Sequence, residues 1–198
     1  MRALVVVDIQ NDFLPAGALA VSEGFEVIPV VNRVLEHYDL VVATQDWHPS
    51  NHRSFASAHV GKAPFDVIEL GGLQQVLWPD HCIQRSHGAD LSRRLDTRRI
   101  EAIFRKGTDS NIDSYSGFFD NGRRKNTGLA GYLRDRSVTS IAVCGLAADY
   151  CVYFTAMDGL QLGFETAIIE PAVRAIDAEG YALKRRAFVE SGGKLVSE

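Results

Sequence analysis

Short apolar runs alternate along the chain with segments whose apolar residues recur at helical spacing. The apolar runs at 3–7, 40–44, 102–104, 140–144 and 165–169 predict strands, those at 3–7 and 140–144 buried ones, and 194–196 is a candidate for a further strand that closes the sheet. The segments 25–38, 128–136, 149–162 and 177–190 predict helices. Strands that alternate with helices favour right-handed crossovers and a mainly parallel, Rossmann-like sheet in a three-layer α/β/α sandwich.

The stretch at 49–99 lacks a strong period and is expected to be irregular, which in a compact domain usually indicates a functional loop. No Pro-, Ser- or Gly-rich linker divides the 198 residues. We therefore expect a single domain over residues 1–198.

Composition excludes several classes of protein. With 46% hydrophobic and 23% charged residues and a formal net charge of -4, the chain has no general electrostatic reason to bind nucleic acid or an anionic membrane. Its start is not typical of a signal peptide, and the apolar stretch at 141–157 is interrupted by Gly145 and Asp149. Three widely spaced cysteines do not predict a disulfide framework, so a reducing cytoplasm is expected.

Reactive side chains stand where three of the predicted strands end. Asp8 and Lys106 follow strands directly, and Cys151 comes shortly after another, in the first turn of a helix for which Asp149 is the expected N-cap. A helix N-terminus stabilises a thiolate and can hold an oxyanion. Each residue alone has a structural explanation, but together they predict a cysteine nucleophile with a carboxylate base and a lysine that stabilises anions.

A second group contains Asp46, His48 and His81, and could bind a divalent metal such as Zn, Mn or Fe. His52 is a candidate for a further ligand, with hydrogen bonding within the loop as the equal alternative. By spacing alone this signal is weak, because an Asp-x-His pair often occurs by chance. Phe13 lies in a turn-rich loop that should bring it near the same edge of the sheet, either as a core contact or beside a ligand.

Several runs of sequence strongly resemble the nicotinamidases of the isochorismatase-like cysteine hydrolases, in the same order along almost the whole chain. These runs are Asp-Ile-Gln-Asn-Asp-Phe at 8–13, Thr-Gln-Asp-Trp-His-Pro at 44–49, Trp-Pro-Asp-His-Cys at 78–82, Arg-Lys-Gly at 105–107 and Cys-Gly-Leu-Ala-Ala-Asp-Tyr-Cys-Val at 144–152. The resemblance implies hydrolysis of nicotinamide to nicotinate and ammonia, a step of NAD salvage, with pyrazinamide as a further substrate.

The resemblance also implies roles for individual residues. Asp8, Lys106 and Cys151 match the catalytic triad of the family. Asp46, His48 and His81 match its metal ligands, and His52 stands where some members have another histidine. Phe13 and Trp78 match the aromatic residues on either side of the pyridine ring, Tyr115 resembles a pocket aromatic, and the N–H groups of Ala147 and Cys151 match the oxyanion hole. The family has a cis peptide bond before this alanine, and Ala148 departs from its usual threonine.

Other functions remain open from the sequence. An amidase of the same superfamily that acts on a carbamoyl or ureido substrate would share the triad but generally lack the metal ligands. A non-catalytic small-molecule binder would share the fold, and a thiol redox protein is disfavoured because Cys144 and Cys151 do not form a C-x-x-C pair. The sequence leaves the metal undecided, and it does not distinguish a monomer from a homodimer.

Overall fold

A six-stranded parallel sheet forms the centre of the molecule, seen in a computed structural model that describes residues 1–198. The strands in spatial order are β5 (Ile100–Lys106), β2 (Leu40–Asp46), β1 (Arg2–Val7), β6 (Ser140–Leu146), β7 (Glu165–Arg174) and β8 (Lys194–Val196). β1 pairs with β2 on one side and β6 on the other, and all of its residues except Arg2 are buried. This confirms that the continuous apolar run at 3–7 is a central parallel strand covered on both faces.

Helices cover both faces of the sheet. They are α1 (Val27–Val34), α2 (Leu129–Asp135), α3 (Tyr153–Gln161) and α4 (Ala178–Glu190). The side chains of β1 alternate between two cores, because Leu4 and Val6 pack in the cluster that includes α1, while Ala3, Val5 and Val7 pack in the cluster that includes α2, α3 and α4. The predicted three-layer sandwich is confirmed. None of its helices combines the length and the apolar character that crossing a membrane requires.

The segment at 49–99, predicted to be irregular, contains a hairpin and a 3₁₀ turn, Ala56–Ala58. β3 (Val67–Leu70) and β4 (Leu73–Val76) form an antiparallel hairpin. Its two turn residues, Gly71 and Gly72, have φ values of 61° and 84°, which glycine adopts without steric cost. The Gly-Gly pair was therefore a usable hairpin signal.

Two further predictions need correction. The predicted helix at 149–162 is divided into a π-helical turn, Ala148–Val152, followed by α3. Asp149 is not the N-cap of this helix, because its carboxylate accepts hydrogen bonds from the N–H groups of Ile176 and Asp177, each at 2.9 Å. The predicted helix at 25–38 is also shorter, because 3₁₀ turns at Gly24–Glu26 and Leu35–His37 flank α1. By contrast, Asp177 caps α4 at the start of the predicted helix at 177–190, since its carboxylate accepts from the N–H of Glu179.

Candidate active site

The carboxyl ends of four neighbouring strands bring the reactive side chains together. Asp8 directly follows β1, Asp46 and Lys106 end β2 and β5 in direct register, and Cys151 lies in the π-helical turn just after β6. Position 145 in β6 requires glycine, because a Cβ there would lie 2.0 Å from the carbonyl oxygen of Val7 in the neighbouring β1. The sheet therefore holds these side chains on one rigid edge.

Lys106 lies at the centre of the group and is 2% exposed. Its Nζ is 2.9 Å from Asp8 Oδ2, 2.5 Å from Asp46 Oδ1 and 3.3 Å from Cys151 Sγ. It also donates to the carbonyl oxygen of Ser114 at 2.9 Å. One ammonium group thus joins two carboxylates and the thiol in a buried site.

Burial and charge shift the protonation of these groups. Burial favours the neutral amine of Lys106, yet the carboxylates of Asp46 and Asp8 raise its pKa well above the usual value. Burial raises the pKa of the Cys151 thiol well above its usual value, and Lys106 opposes that change. Burial also raises the pKa of Asp8, against Lys106 and the hydroxyl of Thr44, which donates to Asp8 Oδ1 at 2.7 Å. A carboxylate with a raised pKa is a better proton acceptor than an exposed aspartate.

The turn that carries Cys151 has a distinctive backbone. A cis peptide bond joins Leu146 to Ala147, at the position where the resemblance implied one. The following residues form the π-helical turn, in which the N–H groups of Tyr150 and Val152 both donate to the carbonyl oxygen of Ala147. Cys151 is 5% exposed, and its sulfur faces the ammonium of Lys106.

Three histidines gather beside Asp46 and are oriented through their Nδ1 atoms. His48 Nδ1 is 2.9 Å from the carbonyl oxygen of Gly107, His81 Nδ1 is 2.8 Å from that of Pro79, and His52 Nδ1 is 2.7 Å from Ser54 Oγ. A Cβ on Gly107 would lie 2.3 Å from the His48 ring, so only glycine leaves room for it. The contacts of His48 and His81 leave their Nε2 atoms available, the arrangement typical of metal-binding histidines. His52 differs, because its Nδ1 accepts from the N–H of Ser54 at 3.2 Å, which places the proton of the neutral ring on Nε2.

The available nitrogens converge on one carboxylate. Asp46 Oδ2 lies 3.5 Å from His48 Nε2 and 3.9 Å from His81 Nε2, and the ligand atoms of all three residues lie within 4.8 Å of one another. Although burial disfavours the charged imidazole of His48, Asp46 raises its pKa, whereas burial and His48 lower the pKa of His81 to about 4. The donor set of one carboxylate and two imidazoles fits a divalent metal ion.

His52 lies beside this group, with its ring centroid 4.4 Å from that of His48. Its Nε2 is buried and has no hydrogen-bond partner, which is costly unless a ligand or ion satisfies it. Asp113, which the sequence analysis missed, has a ligand atom within 4.8 Å of those of His48 and His52. No spacing signal pointed to Asp113, because it lies in a loop far along the chain.

Loop contacts explain how residues so distant in sequence meet. The N–H of His48 donates to the carbonyl oxygen of Cys82 at 3.0 Å, which brings His81 beside it. The side chain of Gln10 spans the same region, since it donates to the carbonyl oxygen of Asp46 and accepts from its N–H, both at 2.8 Å. Asp12 Oδ2 accepts from the N–H of Cys82 at 2.7 Å.

Aromatic rings enclose a small cavity over the thiol. Trp78 packs edge to face against Tyr115 and Tyr150, with ring centroids 6.2 and 4.8 Å away, and Phe13 packs against His81 at 5.5 Å. The cavity measures about 20 Å³, and its lining comprises Phe13, Leu19, Asp46, Trp78, His81, Asp113, Tyr115, Ala147, Tyr150, Cys151 and Ile176. Tyr150 was not among the predicted site residues, although its position next to Cys151 was a usable signal. Leu19 and Ile176 were not predicted either, and no sequence signal marks them. A larger cavity of about 430 Å³ on the outer side of Tyr115 contains none of the residues of the triad.

Comparison with known proteins gives consistent matches over nearly the whole chain. The family model for the isochorismatase domain matches residues 2–198. A curated nicotinamidase of Escherichia coli is 48% identical over 182 residues, which cover 90% of this chain and 85% of the relative.

Solved structures give the same result. A nicotinamidase and pyrazinamidase of Acinetobacter baumanii superposes with a TM-score of 0.96 at 44% identity, covering 98% of this chain and 95% of the other. A pyrazinamidase of Pyrococcus horikoshii in complex with zinc superposes with a TM-score of 0.82 at 37% identity, covering 100% and 99%.

Proposed function

The chain belongs to the isochorismatase family, and we propose that it is a metal-dependent nicotinamidase that converts nicotinamide to nicotinate and ammonia in NAD salvage and also accepts pyrazinamide. One observation carries the proposal: Lys106 joins Asp8 and Cys151 in one buried cluster, and Cys151 lines a small cavity together with Asp46 and His81. A metal-free amidase would have no need for the histidines. In this proposal residues 1–198 act as one hydrolase domain.

Cys151 is the nucleophile in the proposed mechanism. The thiol is protonated at rest because of its burial, so its proton must leave as sulfur attacks the carboxamide carbon. Asp8 takes that proton, since its carboxylate and the sulfur lie within 4.8 Å and its raised pKa suits a base. Lys106 holds both groups and stabilises the negative charge that moves between them.

The remaining steps use the same side chains. The backbone N–H groups of Ala147 and Cys151 hold the oxyanion that forms on the carbonyl oxygen. Collapse of this intermediate breaks the C–N bond, and Asp8 returns the proton so that ammonia leaves and an acyl thioester remains on Cys151. Asp8 then removes a proton from water, whose oxygen attacks the thioester carbon. The C–S bond breaks, Asp8 returns the proton to the sulfur of Cys151, and the product leaves as nicotinic acid, which ionises to nicotinate.

Phe13, Trp78 and Tyr115 are the proposed substrate-binding residues. Phe13 and Trp78 would lie on either face of the pyridine ring, and Tyr115 would close the cavity beside Trp78. The present volume of about 20 Å³ is only slightly more than the ~10–15 Å³ that one water molecule needs. Lining side chains must therefore move to admit a pyridine carboxamide.

Asp46, His48 and His81 would hold one divalent ion, with His52 as a further ligand, and zinc is the metal we propose. A bound ion there would supply a Lewis-acidic point that orients the pyridine nitrogen of the substrate. The chain's own residues orient the ligand nitrogens through the carbonyl oxygens of Gly107 and Pro79. We also propose a cytoplasmic location, since all three cysteines are buried free thiols that suit a reducing compartment.

The test is ammonia release from nicotinamide by the purified protein, measured before chelation, after chelation and after metal is added back. We expect release that is lost on chelation and restored by zinc, with the Cys151→Ala variant as the control for contaminating activity. Metal analysis of the untreated protein identifies the ion. Absence of release by metal-replete protein, together with ammonia release from carbamoyl compounds, would contradict the proposal.

A further inference from the structure

Lys184 is a half-buried lysine on α4 that none of the sequence motifs includes. Its Nζ donates to the carbonyl oxygen of Asp149 at 2.5 Å, inside the π-helical turn that carries Cys151. The same ammonium lies 4.3 Å from the ring centroid of Tyr150, which lines the catalytic cavity. The Lys184 side chain therefore contacts both the backbone of the turn that carries Cys151 and the Tyr150 ring, which the same turn contributes to the cavity wall.

The opposite side of the turn is held by Asp149. Its carboxylate accepts from the N–H groups of Ile176 and Asp177, and Asp177 in turn caps the start of α4. Helix α4 thus holds the turn at two points, through the Asp149 carboxylate and through Lys184. Of these two contacts, only the one from Lys184 reaches the Tyr150 ring.

The environment of Lys184 strengthens both of its contacts. Burial lowers the pKa of Lys184, and Asp149 acts in the opposite direction, so the ammonium is partly removed from water and close to a carboxylate. A cation over an aromatic ring is held more strongly when it is desolvated. Two further rings, those of Phe154 and Tyr153, lie 5.4 and 5.8 Å from Nζ and complete this environment.

We propose that Lys184 is a positioning residue for the hydrolysis. By holding the Asp149 carbonyl and the Tyr150 ring together, it sets the position of Cys151 relative to Lys106. It also sets the position of the cavity wall that the substrate ring would contact. This inference rests on the proposed function and deepens it. Lys184 does not reach the reacting atoms itself. Its effect passes through the turn, where small displacements of a nucleophile have large effects on rate.

The experiment compares Lys184→Met, which keeps most of the apolar stem but loses the charge, with Lys184→Arg, which keeps a donor and a cation. Arg186→Met is the matched control, because Arg186 is an exposed basic residue of the same helix. We expect Lys184→Met to lower kcat/KM for nicotinamide by about tenfold, through a lower kcat and a higher KM, and Lys184→Arg to restore most of it. Arg186→Met should match the unmodified protein.

Alkylation of Cys151 by iodoacetamide gives a readout that needs no turnover. Cys151 is 5% exposed, so a loosened turn should make its thiol react faster in Lys184→Met than in Arg186→Met, with unchanged thermal stability. Mapping the modified cysteine by mass spectrometry separates it from Cys82 and Cys144.

Equal alkylation rates in Lys184→Met and Arg186→Met would overturn the inference. The inference would also be overturned if Lys184→Arg lost as much activity as Lys184→Met and if the loss of activity followed the drop in melting temperature. That pattern indicates a general packing role. If the unmodified protein fails to release ammonia from nicotinamide, the proposed function fails, while the alkylation rates still decide whether Lys184 holds the turn.

Discussion

The two clusters that meet at Asp46 are built in different ways. Asp8 and Lys106 stand at the ends of strands, so the hydrogen-bond ladders of the sheet fix their separation, and Cys151 lies in the π-helical turn that follows β6. His52 and His81 lie in the irregular segment at 49–99, and individual hydrogen bonds to loop atoms set their orientation. Two of the three triad residues are therefore placed by the sheet itself, whereas the histidine cluster is placed by contacts between loops.

This difference predicts that changes in the triad act on turnover and changes in the histidine cluster act on metal affinity. Asp46 belongs to both clusters, because one oxygen contacts Lys106 and the other faces His48 and His81. Variants at each kind of position can separate the two.

The largest expected effect follows removal of the thiol. Cys151→Ala should lower kcat by a factor on the order of 10⁴ or more, because no other buried thiol contacts Lys106. The bound metal should be retained, as measured by metal analysis after gel filtration. Cys144→Ala is the control, since that thiol lies in β6 within the core and should be dispensable. Normal turnover by Cys151→Ala would exclude the nucleophile assignment.

Asp46→Ala should affect both clusters at once. The variant removes the carboxylate that faces two imidazoles and leaves Lys106 with one carboxylate partner instead of two. We expect metal affinity to fall more than about 100-fold and turnover to stay low when metal is added in excess. Competitive titration with a chromophoric chelator measures the first effect and ammonia release the second.

Asp90→Ala is the control for Asp46→Ala, because Asp90 is an exposed carboxylate outside the site. Retention of metal affinity by Asp46→Ala would remove it from the ligand set. Recovery of full turnover at high metal concentration would mean that its contact with Lys106 is not needed.

His52→Ala tests whether the orphaned nitrogen belongs to the metal site. We expect metal affinity to fall about tenfold while kcat at saturating metal stays near that of the unmodified protein, because His52 does not contact the triad. His59→Ala is a matched control from the same irregular segment, since the His59 ring hydrogen-bonds only to the carbonyl oxygen of Arg53. Unchanged affinity in His52→Ala would favour a loop hydrogen-bonding role.

The difference between the clusters also explains what could be predicted from the sequence. The apolar run that stops at Asp8 indicates a strand end directly, because a parallel strand buried on both faces is apolar throughout. The signal at Lys106 is weaker, because β5 is an edge strand whose other residues are exposed or only partly buried. Asp113 and the hydrogen bonds of Gln10 and Asp12 were not predictable, since they depend on contacts between loops far apart in the chain. Asp149 shows a further limit, because an Asp before an apolar helix is typical of an N-cap and only the tertiary structure redirects it to Ile176.

The smallest effect is expected for Thr44→Val, a change that acts on the triad and not on a metal ligand. Thr44→Val removes the hydroxyl that donates to Asp8 Oδ1 at 2.7 Å and nearly preserves the shape of the side chain. Loss of about 1 kcal/mol from this buried hydrogen bond should lower kcat/KM by about fivefold. Metal affinity should stay constant, because Thr44 makes no contact with the histidines. Thr166→Val in β7 is the control, since its hydroxyl donates to the carbonyl oxygen of Phe164 away from the site. A drop in metal affinity in Thr44→Val would show that the sheet transmits changes at Asp8 to the ligands, and the two clusters would then act as one unit.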